Sequence, residues 1–193
     1  MPRIAPDSLL TLEAYAKERG AFRARVIEHK RARTVHLGEH VTLLFEDELT
    51  IRYQIQEMLR IEKMFEQAGI EDELEVYNPL IPDGSNLKAT MLIEYEDENE
   101  RRDALARLKG IEDRVWVRVD DLPAVHAIAD EDLERANAQK TSSVHFLRFE
   151  LTAPMIAGFR GGENIRIGVD HPAYQVNVEL PERVRNALVA DFR

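Results

Sequence analysis

The sequence predicts an α+β domain: a mixed sheet, a long central helix and a C-terminal amphipathic helix. Two observations carry this. Helical and strand periodicities alternate irregularly along the 193 residues, without the regular βαβα rhythm of a doubly wound sheet. No internal repeat or low-complexity linker interrupts them, and 44% hydrophobic with 32% charged residues is ordinary for a chain with a real core. The length suits one continuous domain, with residues 1–34 as an N-terminal helical segment and 35–193 as the α+β body.

The elements follow in order. Asp7 or Ser8 caps a short helix over 9–17 that ends near Gly20, and a second helix spans 21–33. Residues 35–45, VHLGEHVTLLF, read as a strand kinked or bulged at Gly38. The longest helix is expected over 46–68, stopped by Gly69. The stretch YNPLIPDGSN is a loop by its turn residues. Residues 87–95 form a core strand, and Asp97 with Glu100 opens a helix that runs to Gly110. VWVRV, 115–119, is the next strand, giving a strand–helix–strand unit. Asp130 caps a short helix over DEDLERAN. Residues 143–151 are a strand, and Thr152 caps APMIAGFR, closed by Gly161 and Gly162. Strands over 165–169 and 174–178 bracket a turn at Asp170-His171-Pro172. From Pro181 a final helix sets Val184, Ala187, Leu188 and Phe192 on one side.

Composition excludes several functions. Net charge is −10 and the chain has no cysteine. Disulfides, thiol nucleophiles and Cys-ligated clusters are therefore ruled out, and a metal would need His, Asp or Glu ligands. No apolar run is long enough for a signal peptide or membrane span, so the cytoplasm is the default location and no membrane partner is expected. Between Lys17 and Arg33 lie seven basic residues and two acids, whereas 39–100 holds seventeen acids and four basic residues. The basic stretch reads as a solvated helix face. A nucleic-acid role for it is the weaker reading, disfavoured by the acidic whole and by the lack of interleaved aromatics.

Four features bear on chemistry. His36-Leu37-Gly38-Glu39-His40 matches the H-x-x-E-H string of one zinc-peptidase class. There the two histidines need one helix turn between them, but on a strand residues four apart sit about 13 Å apart. His36 and His40 are thus weak metal candidates. In the long helix, Ile51, Ile55, Met58, Leu59 and Phe65 share an apolar arc. Glu62 projects into that arc, which makes it the leading acid/base or ligand candidate, with Glu57 second. His145 shares a strand face with Leu147, Phe149 and Leu151, where a buried imidazole needs a partner. Asn78, Asp83, Ser85, Asn86 and Lys88 on the loop, with Arg52 and Arg60 on the helix, are binding candidates. Dinucleotide, Walker A and nucleophile-elbow fingerprints are missing.

The strings LGEHVTLLFEDELTIRYQIQEMLRIEKMFE, YNPLIPDGSNLKATMLIEY, GIEDRVWVRV, IADEDLER, KTSSVHFLRFEL and VDHPAY resemble an uncharacterised bacterial family, domain of unknown function 3501. The resemblance runs from about Arg31 to the end. It implies a genomic context beside rubrerythrin-like proteins and iron–sulfur oxidoreductases, hence redox or peroxide metabolism. A cysteine-free member would serve there as an accessory or binding partner. Two readings stand beside that one: a small metal-binding or acid–base enzyme using Glu62 with a histidine and a His/Glu-bound divalent metal, and the nucleic-acid binder through 17–33. Whether the chain is an enzyme is left open, and a homo-oligomer is compatible with all three.

Overall fold

The computed structural model describes residues 3–131, 135 and 140–193. Among them the chain forms six α-helices and nine strands. The helices are α1 (Leu12–Arg31), α2 (Glu48–Glu62), α3 (Gln67–Tyr77), α4 (Glu98–Arg107), α5 (Ala153–Gly161) and α6 (Glu182–Val189). The longer strands are β1 (Thr34–Leu37), β2 (Val41–Phe45), β3 (Asn86–Ile93), β4 (Val115–Val119), β7 (Val144–Glu150), β8 (Ile165–His171) and β9 (Tyr174–Glu179), with two-residue β5 (Val125–His126) and β6 (Ile128–Ala129) between.

The α+β class holds, and its strands divide between two sheets. One has the order β1-β2-β3-β7-β6, the other β5-β4-β8-β9, and every pairing is antiparallel. The strand–helix–strand unit around α4 therefore links β3 in one sheet to β4 in the other, and makes no parallel crossover. Alternation explains the packing. Leu87, Ala89, Met91 and Ile93 of β3 and Leu147 and Phe149 of β7 bury one face of the larger sheet. They share a core with Val115, Val117 and Val119 of β4, Ile165, Ile167 and Val169 of β8, and the buried sides of α4, α5 and α6.

The helical segments differ from expectation in extent. α1 is one helix through Gly20, where a side chain would meet nothing within 4 Å, so the glycine costs helix propensity of about 1 kcal/mol without a packing break. α2 buries Ile51, Ile55 and Leu59 against Ile4, Leu74 and Ile81, a second apolar cluster. It stops at Glu62, however, because Lys63 turns left-handed at φ 53°. Gly69 stops no helix: a separate helix not expected from the sequence, α3, runs through it to Tyr77, and the expected loop opens with a 3-10 turn over Asn78–Leu80. The helix expected over 130–137 lies largely outside the described residues.

Two anchors join remote segments. Arg33, only 1% exposed, leaves the end of α1 and donates from Nε to the Phe45 carbonyl (2.9 Å), from Nη2 to the Glu46 carbonyl (3.1 Å) and to Asp191, and from Nη1 to the Ala187 carbonyl (3.2 Å). At the β1–β2 turn, Gly38 takes φ +73°, and an added Cβ there would lie 2.6 Å from the Tyr174 hydroxyl. That hydroxyl, reaching over from β9, donates to the Leu37 carbonyl (2.5 Å) and accepts from the His40 amide (3.3 Å).

Candidate functional site: a buried histidine between two carboxylates

His145 of β7 is wholly buried, on the inward face that strand alternation assigns it. Its Nδ1 lies 2.5 Å from Asp130 Oδ2. Its Nε2 lies 3.0 Å from Thr141 Oγ1, 3.0 Å from the Ser142 carbonyl and 3.9 Å from Glu112 Oε2. Thr141 Oγ1 donates to Glu112 Oε2 at 3.1 Å. Glu112, Asp130 and His145 each bring a potential ligand atom to within 4.8 Å of the others, the one such group among the described residues.

Local structure explains how these residues arrive. Gly110, at φ 83°, ends the α4 region and starts the 3-10 turn Ile111–Arg114; Ile111 is buried in the core and Glu112 is drawn inward beside it. Asp130 follows β6 at φ 48°, a left-handed conformation that Asp tolerates better than most residues. Its amide donates to the Phe146 carbonyl (2.9 Å), and its Oδ1 accepts from the Phe146 amide (3.0 Å), which leaves Oδ2 for His145. Arg135 Nε stands 3.7 Å from Oδ1.

The centre borders an open cleft of about 640 Å³ lined by Lys109, Gly110, Glu112, Asp113, Ala129, Asp130 and Arg135. Three of these side chains are acidic and two basic. Burial raises the Asp113 carboxyl above its ordinary value, with Glu112 and Asp130 adding to the rise and His145 opposing it. Both His145 nitrogens face acceptors, since a carbonyl and a carboxylate cannot donate. Each nitrogen therefore faces an oxygen able to accept a hydrogen bond from it. The same oxygens, with a bare imidazole nitrogen, are of the kinds that ligate a divalent metal.

The other candidates lie elsewhere. Glu62 does not face the core: it is the last residue of α2 and exposed, because the left-handed turn at Lys63 leaves no neighbour over its stripe. Phe65, expected on that stripe, is 77% exposed. Glu57 points toward α1 and is fully engaged. It accepts from Arg19 Nε (2.7 Å) and Nη2 (2.8 Å), from the Tyr15 hydroxyl (2.7 Å) and from Arg60 Nη2 (3.2 Å). These contacts, Arg19 first, hold its carboxyl down near 2 against the opposing effect of burial. Neither glutamate meets His145.

Asn78 pins the N-terminal segment through a paired contact with the Ile4 backbone (2.9 and 3.1 Å). Asp83 accepts from the Ser85 amide and hydroxyl, both at 2.9 Å, and Asn86 bridges the Asp83 amide (3.1 Å) to Glu150 (3.0 Å). This is a self-satisfied turn. Arg52 pairs with Glu48 and the Ser8 carbonyl. Lys88 alone of the loop set lines a separate cleft.

His36 and His40 line one open cleft with Glu94 and Tyr95. His36 Nδ1 meets Thr42 Oγ1 (3.1 Å); His40 Nδ1 meets the Glu94 carbonyl (3.0 Å), and its ring stacks on Tyr95 at 3.8 Å. In the basic stretch, Arg33 is buried, Arg19 is paired with Glu57 and Arg31 with Glu28. No helix among the described residues is long and apolar enough to cross a membrane.

The fold and centre define an acidic, cysteine-free α+β protein with an internal His–carboxylate cluster. By sequence the chain belongs to the family described as "Protein of unknown function (DUF3501)", whose model matches residues 3–192. It is similar over its whole length to a crystallised protein of unknown function from Burkholderia pseudomallei. The two share 58% identity with a TM-score of 0.95, covering 100% of both chains. No curated protein matches.

Proposed function

We propose that this chain binds a divalent transition metal at His145 and Glu112. The carrying observation is the donor set around His145 Nε2. Glu112 Oε2, Thr141 Oγ1 and the Ser142 carbonyl all lie 3.0 to 3.9 Å from it. Ligands about 2.0–2.2 Å from one ion stand roughly 3 to 3.5 Å apart, so modest closure brings these atoms into a first shell. Asp130, on Nδ1, then plays the part of the outer carboxylate that orients a ligating imidazole and raises its basicity. One nitrogen and several oxygens suit manganese, iron(II) or zinc better than a thiophilic ion. Asp113 and Asp130 in the adjoining cleft favour entry of a cation.

The test is metal titration of chelator-stripped, tag-free protein by calorimetry and thermal shift. A metal at a hundredfold its dissociation constant should add about 2.7 kcal/mol, a rise of roughly 5–10 °C for a domain of this size. H145Q and E112Q should abolish the shift. No heat and no shift with manganese, iron(II) or zinc would overturn the reading.

A second reading is an accessory protein docking to a redox partner of the rubrerythrin or iron–sulfur kind. It draws on the family context and on exposed Phe65, which lines the cleft between the N-terminal segment and the end of α2. Crosslinking in the native host, with F65E as control, tests it; recovery of no redox protein would count against it.

A further inference from the structure

A second cleft, of about 360 Å³, lies between α3 with its following turn and the outer face of the larger sheet. Val76 and Leu80 form one wall, Ile128 and Phe146 the other. Lys88 and Arg148, which also line it, are direct cross-strand partners in the β3–β7 ladder, and Ile128 pairs with Arg148 on the far side. Like charges in directly opposed positions repel. The fold neutralises them unequally. Arg148 donates to both Glu131 oxygens at 2.7 Å and to Glu150. Lys88 is half-buried, and its amine has no hydrogen bond or ion pair with any described residue. Burial first, and Arg148 second, push its amine below the ordinary lysine value, against the opposing pull of Glu131, Asp83 and Glu150.

An amine lodged in an apolar cleft beside a second cation is the arrangement that frees a lysine for attack on carbonyl carbon. The guest is constrained from two sides. Glu75 and Glu131 line the same cleft and offset the charges of Lys88 and Arg148, so the lining carries no net charge to draw in an anion, and the apolar walls penalise a strongly hydrated guest. A small, neutral, apolar carbonyl compound meets both conditions. We propose that this cleft takes small apolar aldehydes or ketones and that Lys88 captures them as an imine. The Nζ lone pair adds to the carbonyl carbon, forming the C–N bond, and a proton passes from nitrogen to oxygen to give the carbinolamine. The hydroxyl, protonated from solvent, leaves as water, and the remaining N–H proton returns to solvent. The balance is amine plus carbonyl giving imine plus water, with no oxidant or reductant. This assignment is independent of the metal centre.

The experiment is reductive trapping of the full chain with benzaldehyde and cyanoborohydride at neutral pH. Peptide mapping then resolves the six lysines, Lys17, Lys30, Lys63, Lys88, Lys109 and Lys140. Lys88 should label several-fold faster than the others, because the cleft concentrates benzaldehyde beside its amine. Its rate should saturate with benzaldehyde and fall when benzyl alcohol competes for the cleft. K88R, melting like the wild type, should lose the fast phase. Equal labelling of all six lysines in the wild type, or a fast phase that survives in K88R, would overturn the proposal.

Discussion

Replacing Arg33 by methionine tests how the two chain ends are held together. The methionine side chain is apolar and fills the space of the arginine stem, while the guanidinium is lost. Its departure leaves the carbonyls of Phe45, Glu46 and Ala187 without that donor, and Asp191, itself only 6% exposed at the side chain, without its nearest cation. Removing one partner of a buried, hydrogen-bonded ion pair costs about 3–5 kcal/mol. At roughly 2–4 °C per kcal/mol for this size, R33M should melt about 10 °C lower, with a matching fall in urea midpoint and an unchanged m-value. The cost should also depend on pH. Burial, reinforced by Asp47 and opposed by Arg33 and His29, pushes the Asp191 carboxyl up to about 6. A carboxyl raised on folding stabilises the fold fully below its unfolded value of about 3.9, and that contribution is lost as pH rises through about 6. With Arg33 gone the rise grows, so the gap between R33M and wild type should be wider at pH 8 than at pH 5. Adding D191N should recover part of the loss. A cost below about 1 kcal/mol at pH 8, or one independent of pH, would refute this account.

Other outcomes follow from the same structure. Metal affinity at His145 should weaken as pH falls, because the ion displaces a proton from Nε2; calorimetry in buffers of different ionisation enthalpy should detect its release. E57Q should destabilise by about 1–2 kcal/mol at pH 7, discounted because Arg19 is partly solvated. Since the Glu57 carboxyl is depressed to about 2, its contribution is present above the unfolded value and lost on acidification, so the variant and wild type should converge in acid melts. G38A should cost about 1–3 kcal/mol, from the left-handed backbone and the contact with Tyr174. Y174F in that background should relieve the contact while leaving the backbone cost; equal melting of G38A and wild type would remove the steric explanation.

Much of the fold was legible because period-2 and period-3.6 patterns record local burial. Alternation placed His145 on the inner face of β7, and the arc through Ile51, Ile55 and Leu59 is the buried side of α2. The arc misled beyond Leu59, because Lys63 adopts a left-handed turn more often assigned to glycine, stranding Glu62 and Phe65 in solvent. The partners of His145 were hidden for another reason. Asp130 sits before a polar run and reads as a helix cap, whereas its carboxylate serves a histidine 15 residues on. Glu112 sits in a charged turn, and its inward course follows from the burial of Ile111 beside it. Sheet membership was equally non-local: nothing in the helix between β3 and β4 says that they belong to different sheets. Glu46 is a further residue that patterning missed, a buried carboxylate whose Oε1 accepts from Thr90 (2.6 Å) and Gln54 (3.1 Å) while Oε2 has no partner.

The tyrosine seated in the β1–β2 turn supplies a built-in gauge of how the two sheets associate. The His40 amide is protected by a hydroxyl that belongs to the other sheet, not by its own ladder. Its hydrogen exchange therefore reports separation of the sheets, whereas ladder amides in β2 report fraying of a strand from its neighbour. If the His40 amide exchanges with the free energy of global unfolding, the sheets part only when the whole chain unfolds. If it exchanges earlier than the β2 amides, the β9 edge lifts as a unit while the larger sheet stays intact.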